Sequence, residues 1–112
     1  MEKTKKQGKI RAIVKKPGAA AYSAPIDNEL GALQREVGGL IETVTLAKNF
    51  CVICNEEGRI LGLDFNVWLC GVDFYGPILL VGFDGEYFCD LPMTYSEAKE
   101  FLPPSFFEES EA

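Results

Sequence analysis

The chain has 112 residues, 47% of them apolar, 12% aromatic and 25% charged. That suits one compact domain and excludes wholesale disorder, a collagen-like repeat or a fibrous heptad. The formal charge of −6 is unevenly spread: seven basic residues against Glu2 give residues 1–16 a charge of +6, whereas the remaining body carries 4 basic and 16 acidic groups, a charge of −12. Such a body repels phosphate backbones and argues against nucleic acid as a partner, unless the basic arm alone makes the contact.

The longest clean apolar run, Pro77 to Phe83, is far short of the roughly 20 residues a membrane helix needs. The basic start is followed by Ile10, Ala12, Ile13 and Val14 with Arg11 among them, which is too short and too charged for a secretory signal. A cytoplasmic protein with no membrane contact is the expectation. Residues 1–8 read as a disordered basic tail, 9–102 as a single α+β domain and 103–112 as an acidic tail.

Order is expected to begin at Lys9–Val14, a short run with β-branched residues closed by the turn Lys15-Lys16-Pro17-Gly18. A weaker strand around Ala20–Ala24 should end before Pro25. Asp27 is a good N-cap for a helix that sets Leu30, Leu33 and Val37 on one face and stops at Gly38-Gly39. Leu40–Leu46 alternates as a half-buried strand, and Phe50–Asn55 reads as a buried one. Asn55-Glu56-Glu57-Gly58 has the composition of a tight turn with glycine at a left-handed position, after which Arg59–Leu63 should pair back.

Asp64–Gly76 reads as irregular. Ile78–Phe83 is again a strand, Asp84-Gly85 a hairpin signal, and Glu86–Leu91 the returning strand. Thr94-Tyr95-Ser96-Glu97 fits a capping box that starts a last helix, with Ala98, Phe101 and Leu102 on its buried edge and Pro103-Pro104 as its stop. Phe106 and Phe107 are unusual in a tail and predict docking on this chain or on a neighbouring copy, which suggests a homo-oligomer. The fold class expected is α+β, with a mostly antiparallel sheet of five to seven strands and two short helices.

Cys51-Val52-Ile53-Cys54 has the spacing of a zinc or redox motif. In a strand, however, residues three apart point to opposite faces, so the two thiols would not share a metal. There is no histidine and no second such pair, so the cysteines read as reduced core residues and no metal or cofactor is expected.

The string Ile26–Gln34, Val37-Gly38-Gly39-Leu40-Ile41-Glu42, Asn55-Glu56-Glu57-Gly58, Leu61-Gly62-Leu63 and Asn66 resembles a small domain-of-unknown-function family met in phages and conjugative elements of Firmicutes. The similarity runs from about Ile10 to Leu102. It implies a mobile-element habitat and carries no catalytic residues.

Without histidine the commonest activator of a nucleophile is missing, which disfavours a hydrolase. Glu56 and Glu57 are adjacent turn residues and point apart. Strand parity puts Glu42 on the face of Leu40 and Val44, where it needs an edge position, a pairing with Arg59 or Arg35, or a ligand. Gly38-Gly39 follows a helix and offers no phosphate cradle.

From Phe65 to Phe88 the chain is rich in aromatic residues, with Asn66 among them and Arg59 nearby. Stacking faces beside amide and guanidinium groups can hold a nucleobase and its phosphate. The candidate ligand contacts are Arg59, Asn66, Trp68 and Tyr75, with Asn55 and Glu42. Two functions compete at this level. One is a non-enzymatic phage or mobile-element protein that sequesters a small nucleotide-type immune signal. The other is an acidic, DNA-imitating inhibitor of a host defence protein.

Overall fold

The computed structural model describes residues 8–109. Nearly all of the expected basic tail, and the last three residues of the acidic one, lie outside them. Six strands form one antiparallel sheet: β1 (Lys9–Lys15), β2 (Tyr22–Asp27), β3 (Ile41–Ala47), β4 (Phe50–Asn55), β7 (Ile78–Phe83) and the two-residue β8 (Phe88–Cys89). The order is β2-β1-β7-β4-β3, and β8 pairs with the end of β7. A separate hairpin, β5 (Phe65–Leu69) and β6 (Val72–Tyr75), forms a second two-stranded sheet. With the helices α1 (Leu30–Val37) and α2 (Tyr95–Phe101), this is the α+β class read from the sequence.

The main sheet is covered on both faces, which explains why all six residues of β4 are buried. On one face Ile10, Ala12, Val14, Ile53, Leu79 and Val81 pack with Leu33 and Val37 of α1. On the other, Ile13, Val52, Cys54 and Leu80 pack under Val67, Leu69 and Phe74 of the hairpin, under Ala98 of α2 and under Leu102 just after it. Strand parity sends Cys51 to the α1 face and Cys54 to the hairpin face, as their spacing dictates.

Several local expectations are corrected. Asp27 does not cap α1. It ends β2, where its carboxylate accepts from Lys9 Nζ at 2.7 Å, and the helix begins after Glu29 without a side-chain cap. Pro25 lies inside β2, opposite Arg11; β2 is an edge strand, where a missing N–H is tolerated. Leu30 and Phe101 are exposed, although the Phe101 ring still meets Phe50 edge-on at 5.8 Å.

Arg59–Leu63 forms no strand, because both edges of β4 are already taken by β3 and β7. It is a coiled turn held by Leu61 N–H to Glu57 O and Leu63 N–H to Gly58 O. Gly58 is not left-handed; that conformation falls to Gly62.

The stretch expected to be irregular holds the β5–β6 hairpin. Its two-residue turn, Cys70-Gly71, has φ of 51° and 83°, the pairing of positive angles that suits the twist of a hairpin. The strand expected over Glu86–Leu91 shortens to Phe88–Cys89, because Asp84 Oδ1 accepts from the amides of Glu86 and Tyr87 and bends the chain there.

The capping box is present in full: Glu97 N–H donates to Thr94 Oγ1 and Thr94 N–H to Glu97 Oε1. Beyond Leu102 the chain continues as a short 3-10 turn, Pro104–Phe107. Phe106 is fully buried in the hairpin-side core and Phe107 meets Tyr95 edge-on at 5.3 Å. Both phenylalanines therefore dock on their own chain.

Candidate functional site

The residues singled out from the sequence divide between two hollows. Glu42, Asn55, Arg59 and Tyr75 line a cleft of about 210 Å³ between β6 and the β3–β4 edge. Asn66 and Trp68 line a groove of about 540 Å³ between β5 and the segment after α2. The rings of Phe65 and Tyr75 touch edge-on at 5.6 Å; Phe65 borders the groove and Tyr75 the cleft.

In the cleft, the Arg59 guanidinium lies 5.4 Å from the centre of the Tyr75 ring, over its face, a cation–π arrangement. The turn carrying Arg59 reaches β6 because residue 58 is glycine: a Cβ there would sit 2.6 Å from the Tyr75 carbonyl oxygen. Asn55 is buried, with Nδ2 donating to Val37 O and Oδ1 accepting from Glu57 N–H. It ties the end of α1 to the turn, a structural task.

Glu42 is exposed on edge strand β3, which is how a carboxylate is accommodated at that position. Among the described residues it pairs with neither Arg59 nor Arg35. Burial first, and the Glu42 carboxylate second, push the Cys54 thiol up to about 11, and its S–H donates to Glu42 O at 3.6 Å. A thiol so raised is a poor nucleophile. Glu42, Glu56 and Asp73 stand in the cleft against the single cation Arg59, which repels a phosphate.

The groove differs in size and in charge. In β5 the side chains of Val67 and Leu69 turn inward and are buried, while Trp68 turns outward and is 60% exposed. An irregularity between Phe65 and Val67 breaks the register with β6, and Phe65 also lies 49% exposed. Asn66 sits at the break. Its Nδ2 donates to Lys15 O and to Gly76 O, both at 2.8 Å, while its Oδ1 is buried without a partner. Its amide thus fastens the hairpin to the end of β1.

Lys15 was missed as a site residue because it stands beside a turn signal. Counting by twos from Arg11 and Ile13 puts it on the inward, hairpin-facing side of β1. There it is 97% buried, as its relative exposure of 3% shows, and it lines the groove with Phe65, Asn66, Trp68, Ser105 and Glu108. Its ammonium donates to the Lys16 carbonyl at 3.0 Å, and burial lowers its pKa from the ordinary lysine value. No carboxylate among the described residues lies within ion-pairing distance of it.

A third hollow, about 450 Å³ between Phe50, Leu69, Met93 and Phe101, carries no charged side chain. Among the described residues no group of three or more cysteine or acidic side chains is placed to hold a metal ion. No helix among them is long and apolar enough to cross a membrane.

Fold and groove together define a small α+β protein with an antiparallel sheet covered on both faces and an aromatic groove that holds a buried lysine. The chain belongs to the DUF3846 family, a domain of unknown function, whose model matches residues 10–101. No curated protein and no solved structure matches it.

Proposed function

We propose that this is a non-enzymatic binding protein that holds a small nucleotide-type ligand in the groove between β5 and the Pro103–Glu108 segment. The observation that carries the reading is the pair of outward aromatic side chains, Phe65 and Trp68, left half-exposed in a hollow of about 540 Å³. Such a volume suits a mononucleotide-sized molecule, and flat ring faces at its rim favour stacking on a base.

The proposal moves the site away from Arg59, Glu42, Asn55 and Tyr75, whose cleft is smaller and dominated by carboxylates, and keeps Trp68 and Asn66. Trp68 is the stacking face. Asn66 is the bracket that holds β5 in place. The absence of histidine and the raised Cys54 thiol favour holding over turnover. In the phage or mobile-element setting implied by the resemblance, such a protein acts as a sponge for a nucleotide immune signal.

The test is calorimetry and thermal melting of the full chain with a panel of nucleotides, followed by mass spectrometry of the released ligand. The proposal expects stoichiometric capture, recovery of the ligand unchanged, and loss of capture in Trp68→Ala. No melting shift with any nucleotide at millimolar concentration contradicts it.

A second reading rests on Leu40, Ile60 and Leu61, which are 56%, 84% and 56% exposed. Glu56 N–H donates to Leu40 O, which brings the 56–62 turn beside Leu40. Apolar side chains on an acidic body fit a protein-inhibitor surface. That reading predicts partner binding that weakens with salt and survives Trp68→Ala.

A further inference from the structure

We infer that Lys15 receives the ligand's phosphate, so that the groove selects phosphorylated nucleosides over free nucleosides. This rests on the groove reading above and adds a substrate class to it.

A lysine ammonium taken out of water is costly unless it is paired or well hydrogen-bonded. Lys15 has only 3% of its surface exposed, yet among the described residues its ammonium meets a single neutral acceptor, the Lys16 carbonyl. An ammonium has three donors, so donors remain for a further acceptor. The other basic residues of the same parity on β1 are engaged: Lys9 pairs with Asp27 at 2.7 Å, and Arg11 donates to Met93 O and Leu91 O, fastening the chain before α2. Lys15 is thus the cation that the sheet brings to the groove without spending it on architecture.

The neighbours of Lys15 fit the same division of labour. Phe65 and Trp68 offer ring faces for a base, and Ser105 offers a hydroxyl from the opposite wall. Among the described residues Glu108 is the carboxylate that lines the groove, and it lies outside ion-pairing distance of Lys15. An anionic group entering the groove therefore finds a single strong attractor.

The test is calorimetry of the four common ribonucleosides and their 5′-monophosphates against the full chain, Lys15→Met and Trp68→Ala. In the wild type the best-bound monophosphate should exceed its nucleoside by about tenfold or more, as a charge-assisted contact implies. Lys15→Met should abolish that preference, bringing monophosphate and nucleoside affinities together. Trp68→Ala should weaken both ligands and keep the preference. Equal wild-type affinities for nucleoside and monophosphate overturn the assignment of Lys15 and leave the groove reading standing. Retention of the preference in Lys15→Met does the same, and binding of neither class overturns both. If Lys15→Met fails to fold, Lys15→Gln carries the same test.

Discussion

The side-chain amide of Asn66 donates to the backbone carbonyl of Lys15 at 2.8 Å, joining residues 51 positions apart on two different sheets. The same nitrogen reaches Gly76 O, so one side chain connects the irregular start of β5, the end of β1 and the turn before β7. Replacing Asn66 with alanine removes both bonds while costing nothing at Oδ1, which has no partner to lose. The expected destabilisation is about 1–3 kcal/mol, measured by urea denaturation. A change within about 0.5 kcal/mol would show that the hairpin is held by its apolar underside alone.

Lys15 yields a prediction of opposite sign. Because burial lowers its pKa, the folded state gives up the Lys15 proton more readily than the unfolded chain does. Its charge therefore costs stability at neutral pH. The cost is relieved as pH rises through the folded pKa towards the ordinary lysine value of 10.5, since over that window the unfolded chain binds more protons. Lys15→Met should melt higher than the wild type at pH 7, by about 1 kcal/mol or more, with the gap narrowing as pH approaches 10. A less stable variant at pH 7 would mean that the ammonium has a favourable partner.

Gly58 tests the contact between the 56–62 turn and β6. Gly58→Ala places a Cβ 2.6 Å from a backbone oxygen of Tyr75, which cannot swing aside as a side chain can. A loss of about 1–3 kcal/mol is expected. Gly31→Ala is the contrasting case: its new Cβ meets only Arg35 Nη1, at 3.5 Å, and a gain of about 0.5–1 kcal/mol follows from helix propensity. Thermal melts of the two variants should move in opposite directions.

The four cysteines should separate by reactivity. Cys51 and Cys54 are buried on opposite faces of β4, Cys89 is half-buried, and Cys70 is exposed at the tip of the β5–β6 turn. Iodoacetamide at pH 8 followed by peptide mass spectrometry should label Cys70 first. Cys54, whose thiol is held near 11, should be modified only on unfolding. Rapid labelling of Cys54 in the native protein would contradict the packing of the hairpin over β4.

Where local chemistry decides the structure, the sequence was readable. Phe50–Asn55 and Ile78–Phe83 are apolar runs that become strands buried on both faces, and Thr94 with Glu97 specifies a helix start from four residues. The β5–β6 hairpin was not readable for two physical reasons. Its turn, Cys70-Gly71, places a cysteine at φ 51° without the asparagine or aspartate that usually marks such a turn. The irregularity after Phe65 also interrupts the alternation by which a strand is recognised. Asp27 misled because a good capping residue was claimed by Lys9 across the sheet, a contact that only the pairing of β1 with β2 creates.

The candidate site shows the same division. Trp68 and Asn66 were legible as residue types but not as neighbours of Lys15, because that adjacency depends on how the hairpin lies over the sheet. Arg59 and Tyr75 do meet, as their chemistry suggested. They meet in a cleft whose carboxylates, Glu42, Glu56 and Asp73, come from three separate elements.

Trp68 is the single tryptophan of the chain and stands 60% exposed on the groove, so its fluorescence reports directly on the proposed stacking surface. Titrating the native protein with nucleotides should give, for at least one of them, a saturable change in tryptophan emission that fits one ligand per chain and is lost on unfolding. Emission that stays unchanged across the whole panel, at concentrations up to the millimolar range, would contradict the account.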